Sequence, residues 1–234
     1  MDNNLNHLAI IMDGNARWAK VNRKTTIQGH QKGAEAAKML LEYIGSTNIK
    51  YVTLYAFSSE NWQRPAEEVS SLLSLLARYV LDEIALLNKH NIRLKVIGEL
   101  SKLSTSLQNK INEAVTRTQN NNSFTLCIAF SYGGRGEIVS AVNKIIESGK
   151  KNITESDFQR NLYDSEMPNV DLLIRTSGAS RVSNFLLWQL AYAELYFTEK
   201  YWPDFTTHDL EEALNNYSFR IRNFGKRANC KDSL

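Results

Sequence analysis

The stretch HLAIIMDGNAR, residues 7–17, places five consecutive apolar residues directly before a polar turn. A short apolar run that ends in a turn is typical of a strand buried on both faces of a sheet. The sequence therefore predicts a first strand over residues 8–12. Four further strands are predicted on the same grounds, at residues 51–57, 94–97, 124–130 and 171–174.

Segments with the apolar spacing of helices separate these strands. Alternation of strand and helix favours parallel pairing, because right-handed crossovers place the helices on the faces of the sheet. The predicted helices cover residues 33–44, 65–87, 101–118, 137–146 and 208–217, and a further helix is expected over 184–197. No change of composition divides the chain, so we predict a single α/β domain over 1–234, with a mostly parallel central sheet flanked by helices.

The composition excludes several classes of protein. The 234 residues are 43% hydrophobic and 23% charged, which are ordinary values for a globular domain. The two cysteines, Cys127 and Cys230, exclude a disulfide-rich scaffold and a four-cysteine zinc site. A net charge of +3 does not indicate a nucleic-acid-binding protein. No apolar run approaches the ~18 residues of a membrane span, and the polar start does not resemble a secretory signal, so we expect a cytoplasmic location.

Polar residues follow each predicted strand. Ligands of parallel sheets bind beyond the carboxyl ends of the strands, so these residues should meet along one edge, here called the rim. The first strand leads into Asp13, and the rim also receives four arginines, Arg17, Arg64, Arg175 and Arg181. Arginine forks hold phosphate groups, and Mg²⁺ takes one or two protein carboxylates and completes its shell with phosphate oxygens and water. We therefore predict a phosphorylated or diphosphorylated substrate bound with Mg²⁺.

Each of these residues also has a purely structural interpretation. Asp13 stands where the N-cap of a helix is expected, and Arg17 or Arg64 taken singly is most often a solvated surface residue. His30 is more often a structural histidine than a base, and residues 60–62 are compatible with a turn that packs its indole. The convergence of these signals on one rim favours a functional site.

Ordered motifs along nearly the whole chain resemble those of a known protein family. They are HLAIIMDGNARWA at 7–19, GH at 29–30, LYAFSSENW at 54–62, YGGR at 132–135, DLLIRT at 171–176, RVSNFLLWQ at 181–189 and WPDF at 202–205. In this order they resemble the signatures of the cis-prenyltransferases, the undecaprenyl diphosphate synthase family. The chain also lacks the D-D-x-x-D motif of trans-prenyltransferases, which fits the cis class independently.

The resemblance implies an activity and an architecture. Enzymes of this family condense isopentenyl diphosphate onto an allylic diphosphate such as farnesyl diphosphate, and they make Z double bonds. The resemblance further implies Mg²⁺ as the cofactor, a homodimer, and a hydrophobic tunnel that holds the growing chain. It also implies a polyprenyl diphosphate lipid carrier for cell-wall glycans, delivered at the inner face of the plasma membrane.

The resemblance also implies roles for individual residues. Asp13 and Asn61 would be catalytic, Asp13 would hold the metal, and Glu194 would help to hold the metal or serve the partner subunit's site. The predicted substrate-binding residues are Gly14, Asn15, Arg17, Trp18, His30, Ser58, Ser59, Glu60, Trp62, Arg64, Arg175, Arg181 and Ser183. Gly14, Asn15, Arg17 and His30 would surround the allylic diphosphate. Arg175, Arg181 and Ser183 would hold the isopentenyl diphosphate, and residues 58–64, here called the closing loop, would cover both.

Some positions depart from the family pattern. Thr26 stands where an arginine against the allylic diphosphate is usual. Either Lys24 replaces that charge, or the contact is absent and Arg17, His30 and the metal suffice. Ser177 and Ala179 stand in a usual Gly-Gly-Glu, so a carboxylate near the isopentenyl site is missing. The basic stretch 220–227 resembles a C-terminal segment that approaches the partner's site. Two alternatives stay open: a non-catalytic subunit of a heteromeric prenyltransferase, and a generic nucleotide-binding α/β protein.

Overall fold

Six parallel strands form the centre of the molecule. A computed structural model describes residues 5–222, apart from the side chains of residues 76–82. The strands are β1 (His7–Ile11), β2 (Tyr51–Ser58), β3 (Ile92–Ile97), β4 (Phe124–Tyr132), β5 (Leu172–Arg175) and β6 (Glu194–Phe197). All neighbours pair in parallel, in the order β3-β4-β2-β1-β5-β6. The predicted single α/β domain with a parallel sheet is confirmed, while its limits at 1 and 234 stay a prediction.

Within the described residues, eight α-helices accompany the sheet. They are α1 (Asn15–Val21), α2 (Thr26–Ile44), α3 (Ala66–Asp82), α4 (Ile84–Lys89), α5 (Thr105–Thr118), α6 (Gly134–Glu147), α7 (Glu155–Gln159) and α8 (Thr207–Ser218). The predicted helix over 65–87 is two helices, α3 and α4. α2 begins earlier than predicted because Thr25 and Gln28 form a capping box at its start. None of these helices is both long and apolar enough to cross a bilayer.

The predicted helix over 184–197 is wrong. The backbone is left-handed at Asn184 and Leu186, with φ of 59° and 41°, and a right-handed helix cannot pass through such residues. The last four residues of the segment instead form β6, with Glu194 opposite Leu172 of β5. The apolar spacing of this segment is compatible with a helix. Pairing with the free edge of β5 instead provides hydrogen bonds for backbone groups, and the spacing of apolar residues carries no information about that pairing.

The sheet separates two apolar layers. On one face, helices α2, α4 and α8 pack against strand residues such as Leu8 and Ile10. On the other face, the chain between α7 and β6 packs against Ala9 and Leu173, and Cys127 is buried there as predicted. Burial on both faces explains the continuous apolar runs of the central strands. The packing also brings the carboxyl ends of β1, β2 and β5 to one edge.

Candidate functional site

Asp13 lies just beyond the carboxyl end of β1 and beside the end of β5, because Ile11 pairs with Arg175 in the sheet. Asp13 Oδ2 accepts a hydrogen bond from Arg175 Nη2 at 2.9 Å, and Asp13 Oδ1 pairs with Arg17 Nη2 at 3.0 Å. Burial raises the pKa of this carboxyl, but the hydrogen bonds from Arg175 and Arg17 outweigh burial and lower it. Asp13 is therefore an ionised carboxylate held between two guanidiniums.

The chain turns sharply at Gly14, directly after this carboxylate. Gly14 has a φ of 109°, which glycine adopts without strain, and it is the N-cap of α1. The structural alternative in which Asp13 caps the next helix is therefore wrong. A Cβ at Gly14 would lie 2.9 Å from Ser177 Oγ, so glycine also allows the turns after β1 and β5 to approach each other closely.

Four buried polar atoms around Asp13 have no hydrogen-bond partner within residues 5–222. They are Asn15 Oδ1, His30 Nε2, Arg175 Nε and Ser177 Oγ. Leaving a buried polar atom unpaired costs about 1–3 kcal/mol, so such atoms usually mark the place of a bound polar group or water. Their grouping on one rim indicates that a polar ligand completes the site.

Arg175 is the most enclosed charged group of the rim, with 4% of its surface exposed. Its Nη1 donates to the carbonyl oxygen of Arg181 at 2.5 Å and to Ser183 Oγ at 2.6 Å. Together with the bond to Asp13, these contacts fix the plane of the guanidinium. Arg181 thus contributes its backbone carbonyl here, while the residue itself is exposed.

The closing loop follows β2 and contains a short 3-10 turn over Ser59–Gln63. Asn61 Oδ1 accepts a hydrogen bond from Ser58 N at 3.1 Å, which closes the turn on itself. Trp62 packs edge-on against Phe57 and donates from Nε1 to Ser131 Oγ at 2.9 Å. The turn with a packed indole is therefore present, and it holds Asn61 and Glu60 at the rim.

His30 lies on α2 with its ring mostly enclosed. Burial, together with the nearby Arg64 guanidinium, lowers the pKa of His30 to about 4, against the opposing effect of Glu68. Burial likewise lowers the pKa of His7 to about 4, against the opposing effect of its hydrogen bond to Pro168 O. Both rings are therefore uncharged at neutral pH.

We expect the free energy of unfolding to decrease as the pH falls from 6.5 to about 4. Unfolded histidines bind their protons near pH 6.5, but the folded His7 and His30 do so only near pH 4, so the unfolded state binds more protons between those values. Urea unfolding across this range measures the loss. His30→Gln should reduce the pH slope. Equal slopes for wild type and His30→Gln would contradict an uncharged His30.

A cavity of about 790 Å³ opens at this rim and continues along one face of the sheet. Its mouth is polar, and its inner wall is formed by aliphatic side chains of the strands and of α2, α3 and α4. Leu126 of β4 and Leu94 of β3 belong to that inner wall. Leu126 precedes Tyr132, the last residue of β4, by six residues, so the cavity reaches roughly 20 Å from the rim at about 3.3 Å per residue.

The structure brings most of the predicted site residues to this one cavity. Those that line it are Asp13, Gly14, Asn15, Arg17, His30, Ser58, Glu60, Asn61, Arg64, Arg175 and Ser183. The predicted residues that do not line it are Trp18, Ser59, Trp62, Arg181 and Glu194. Trp18 and Trp62 instead support the rim, since Trp18 Nε1 donates to Asp204 Oδ1 at 2.7 Å and Trp62 holds the closing loop.

Glu194 lies at the amino end of β6, the opposite end of the sheet from Asp13. Its Oε2 pairs with Arg220 Nη1 at 2.8 Å. Within this chain it therefore does not join Asp13 in a shared metal site, because parallel strands place their first and last residues at opposite edges. Arg222 pairs with Asp171 at 2.6 Å, and the rest of the basic stretch, 223–227, lies outside the described residues, as does Cys230.

Asn184 and Trp202 belong to the site but were not among the site residues predicted from the sequence. Asn184 lines the cavity and donates from Nδ2 to Glu60 Oε1 at 2.8 Å. Trp202 lines it too, and its Nε1 donates to Gly33 O at 2.7 Å. Both stand inside the quoted motifs, but neither follows a predicted strand, so the rule that located the rim does not reach them.

The oxygen ligands at the rim suit Mg²⁺ only if the substrate supplies the remaining ligands. Within the described residues, no group of three or more histidine, cysteine, aspartate or glutamate side chains could hold a metal ion. Asp13 offers one ionised carboxylate, with the unpartnered Asn15 Oδ1 beside the same turn. Mg²⁺ accepts so few protein ligands where phosphate oxygens and water supply the others.

Comparisons with known proteins agree on one family. A family profile described as "Putative undecaprenyl diphosphate synthase" matches residues 11–225. The isoprenyl transferase of Rickettsia sibirica is 58% identical over 224 residues, which are 96% of this chain and 99% of that protein. A protein of Haemophilus ducreyi named ditrans,polycis-undecaprenyl-diphosphate synthase ((2E,6E)-farnesyl-diphosphate specific) is 48% identical over 94% of this chain and 93% of its own.

Solved structures show the same similarity in three dimensions. Lavandulyl diphosphate synthase from Lavandula x intermedia, in complex with dimethylallyl diphosphate, superimposes with a TM-score of 0.91 at 37% identity, covering 95% of this chain and 98% of the other. A probable undecaprenyl diphosphate synthase from Campylobacter jejuni gives a TM-score of 0.82 at 35% identity, covering 95% and 99%. Sequence and structural likeness therefore extend over nearly the same length of chain.

Proposed function

This chain belongs to the undecaprenyl diphosphate synthase family, the cis-prenyltransferases, and from that premise we propose that the rim around Asp13 is where its two diphosphate substrates meet. The chain is a transferase that condenses isopentenyl diphosphate onto an allylic diphosphate and makes a Z-polyprenyl diphosphate. The observation that supports the location is the ionised Asp13, held between Arg17 and Arg175 beside four unpartnered buried polar atoms.

The chemistry of the reaction explains why cations line the rim. The allylic C–O bond breaks, a new C–C bond forms to the isopentenyl carbon, and that unit then loses a proton. Negative charge grows on the departing diphosphate, and cations already in place stabilise this transition state more than the ground state. Arg17 supplies such a charge at the rim. Mg²⁺, when bound at Asp13, would neutralise further charge on the diphosphate.

The two substrates have separate positions in the proposal. The allylic diphosphate lies against Gly14, Asn15, Arg17 and His30, where the uncharged His30 ring offers an unpartnered Nε2. The name of the Haemophilus ducreyi relative supports farnesyl diphosphate as the primer. The isopentenyl diphosphate lies against Arg175 and Ser183. Arg181 is two residues before Ser183, and in the proposal its exposed side chain turns towards this diphosphate.

The closing loop excludes water in this proposal. Ser58, Glu60, Asn61 and Arg64 line the mouth of the cavity, and Trp62 holds their turn against β4. Water would otherwise capture the allylic cation, so closure protects the reaction. Asn61 is the loop residue we place nearest the carbon that loses its proton.

The apolar inner wall supports a tunnel for the growing chain, and it leads to a prediction of product length. Leu126→Trp is expected to shift the products towards shorter chains, because the larger side chain fills the inner part of the cavity. Leu126→Ala should shift them towards longer chains. Thin-layer chromatography of the dephosphorylated products measures both shifts, and thermal unfolding confirms that each variant is folded. The same length distribution in both variants would contradict a chain-holding cavity.

Incorporation of radiolabelled isopentenyl diphosphate tests the whole proposal. The purified chain with farnesyl diphosphate and Mg²⁺ should form labelled lipid, and omission of farnesyl diphosphate or addition of EDTA should abolish it. Incorporation by this chain alone would exclude a non-catalytic subunit. Binding of a nucleotide in preference to farnesyl diphosphate would favour the nucleotide-binding alternative.

We also propose a homodimer that involves α6 and the edge strand β6. Val139, Val142 and Ile146 form an exposed apolar stripe on α6, and Leu195 is exposed on β6. Monomers seldom leave large apolar patches or strand edges uncovered. In a dimer, Glu194 could serve the partner's site, which its position far from Asp13 prevents within one chain. Sedimentation velocity of the wild-type chain measures the assembly.

The product determines where we expect the enzyme to act. A long polyprenyl diphosphate partitions into lipid, whereas both substrates dissolve in water. We therefore propose that the enzyme works in the cytoplasm at the inner face of the plasma membrane, as a peripheral protein that supplies the carrier lipid of cell-wall glycans. Fractionation should release it with salt or mild detergent, and release only after solubilisation of the bilayer would contradict the proposal.

A further inference from the structure

Asn184 joins three separate segments of the chain at the rim. Its Nδ2 donates to Glu60 Oε1 in the closing loop at 2.8 Å, and its Oδ1 accepts from Arg135 N at the start of α6 at 2.9 Å. Its backbone carbonyl accepts from Gly134 N at 2.7 Å. The side-chain amide thus uses its donor towards the closing loop and its acceptor towards a helix start.

The turn that carries Asn184 also carries a residue of the isopentenyl position. Ser183 and Asn184 are consecutive left-handed residues, with φ of 47° and 59°. Asparagine adopts this conformation more readily than most residues. The hydrogen bonds of the Asn184 side chain to Glu60 and to Arg135 N hold the turn in it. Ser183 Oγ accepts from Arg175 Nη1 at 2.6 Å. A shift of this turn therefore moves contacts to Arg175 and to Glu60 together.

The packing around Gly133 shows how closely the segments approach. A Cβ at Gly133 would lie 2.7 Å from Asn184 Nδ2 and 2.5 Å from Ser59 Oγ. The closing loop therefore contacts the start of α6 directly, and Asn184 packs against both of them. This arrangement leaves no room for a water molecule in the place of Gly133's missing side chain.

The bond between Asn184 and Glu60 is charge-assisted. Burial raises the pKa of the Glu60 carboxyl, but hydrogen bonds from Asn184, the backbone and the Ser58 and Ser59 hydroxyls lower it further than burial raises it. Glu60 is therefore an ionised acceptor at neutral pH, and hydrogen bonds to ionised acceptors are stronger than neutral ones.

We propose that Asn184 is a positioning residue that couples the closing loop to the isopentenyl diphosphate position. Isopentenyl diphosphate at Arg175 and Ser183 stabilises the turn that carries Asn184 in this conformation, in which Asn184 holds Glu60 and the adjacent Asn61 over that substrate. The inference rests on the proposed function, because it takes the two positions from there. Asn184 itself is not assigned contact with the reacting atoms.

A double-mutant cycle between Asn184 and Glu60 tests the coupling. Asn184→Asp keeps the acceptor for Arg135 N and tolerates the left-handed turn, but it places a carboxylate against Glu60. In the Glu60 background, this change should lower kcat/KM for isopentenyl diphosphate at least tenfold and leave KM for farnesyl diphosphate within about twofold. In a Glu60→Gln background, the glutamine amide at position 60 can donate to the new carboxylate at position 184, so the same change should cost less than about threefold.

The matched control is Asn91→Asp, which makes the same change in a left-handed turn, with φ of 55°, just before the amino end of β3 and therefore at the opposite end of the sheet from the rim. It should leave kcat/KM unchanged. A cost of Asn184→Asp that is equal in both Glu60 backgrounds would overturn the coupling, as would equal effects on both substrates. If the Arg175 variants described below lose their selectivity for isopentenyl diphosphate, the site assignment fails. If they keep it while the cycle is additive, only the role of Asn184 fails.

Discussion

Replacing Asp13 with alanine is expected to lower turnover by at least roughly 10²- to 10³-fold while the fold persists, since removal of a single preorganised charge-stabilising group costs about that much. Asp13 is the carboxylate that Arg17 and Arg175 hold at the carboxyl end of β1, and it is the proposed anchor of Mg²⁺. Its loss would remove the carboxylate proposed to hold Mg²⁺, and it leaves the guanidinium of Arg175 without its anionic partner. Turnover with saturating substrates across a Mg²⁺ titration measures the effect.

Two further variants make the Asp13 result specific. Asp13→Asn keeps the side-chain shape but has one carbonyl acceptor, so it can accept from only one of the two arginines. It also lacks the charge that Mg²⁺ needs, so it should be nearly as inactive as alanine. Asp157→Ala is the matched control, because Asp157 also pairs with two cations, Lys150 and Arg160, on a helix outside the cavity. It should keep near-normal turnover. Near-normal Mg²⁺-dependent activity in Asp13→Ala would refute the assignment.

Replacing Arg175 with alanine is expected to raise KM for isopentenyl diphosphate by about 10- to 100-fold, with a much smaller change for farnesyl diphosphate. Hydrogen bonds to charged groups contribute about 1.5–3 kcal/mol, and each 1.4 kcal/mol is a factor of ten. The guanidinium is nearly fully buried and is oriented by Ser183 and the Arg181 carbonyl, so its removal leaves an enclosed space without a positive charge.

Conservative and neighbouring variants separate charge from geometry at this position. Arg175→Lys keeps the charge but cannot contact Asp13, Ser183 and the diphosphate in one plane, so it should recover little. Arg181→Ala keeps the carbonyl that orients Arg175. A selective rise in KM for isopentenyl diphosphate in this variant would therefore report a direct role for the exposed Arg181 side chain. A larger effect on farnesyl diphosphate than on isopentenyl diphosphate in Arg175→Ala would show that the two positions are exchanged.

Most strands of this protein could be predicted because burial on both faces shows in the residues of the strand itself. The five predicted strands are confirmed because a strand between helical layers needs apolar residues on both faces, and that need is visible in the sequence. β6 was missed because it is a short edge strand of mixed polarity, and its conformation depends on the neighbouring edge of β5. The start of α2 depends on the cap at Thr25, which apolar spacing does not report.

The site was predictable where one rule of the fold applies. Asp13 and Arg175 lie at the carboxyl ends of neighbouring strands of a parallel sheet, so their meeting at one rim follows from the predicted topology alone. Glu194 shows the limit of that reasoning, because the strand to which it belongs was not predicted, and its position at the amino end of β6 followed from the register with β5. The family resemblance identified candidate residues but not which atoms they use, as the carbonyl of Arg181 illustrates.

The sequence by itself determined the alternation of strands and helices, the arginine-rich rim and the family. Only the tertiary structure decided that Ser183 orients the guanidinium of Arg175, that Glu194 lies away from Asp13, and that Asn184 holds Glu60. The physical reason is distance along the chain. Burial patterns and caps depend on residues within a few positions of each other, whereas Asp13 and Arg175 are 162 residues apart and Glu60 and Asn184 are 124 apart. Contacts over such separations exist only once the crossovers have packed against the sheet.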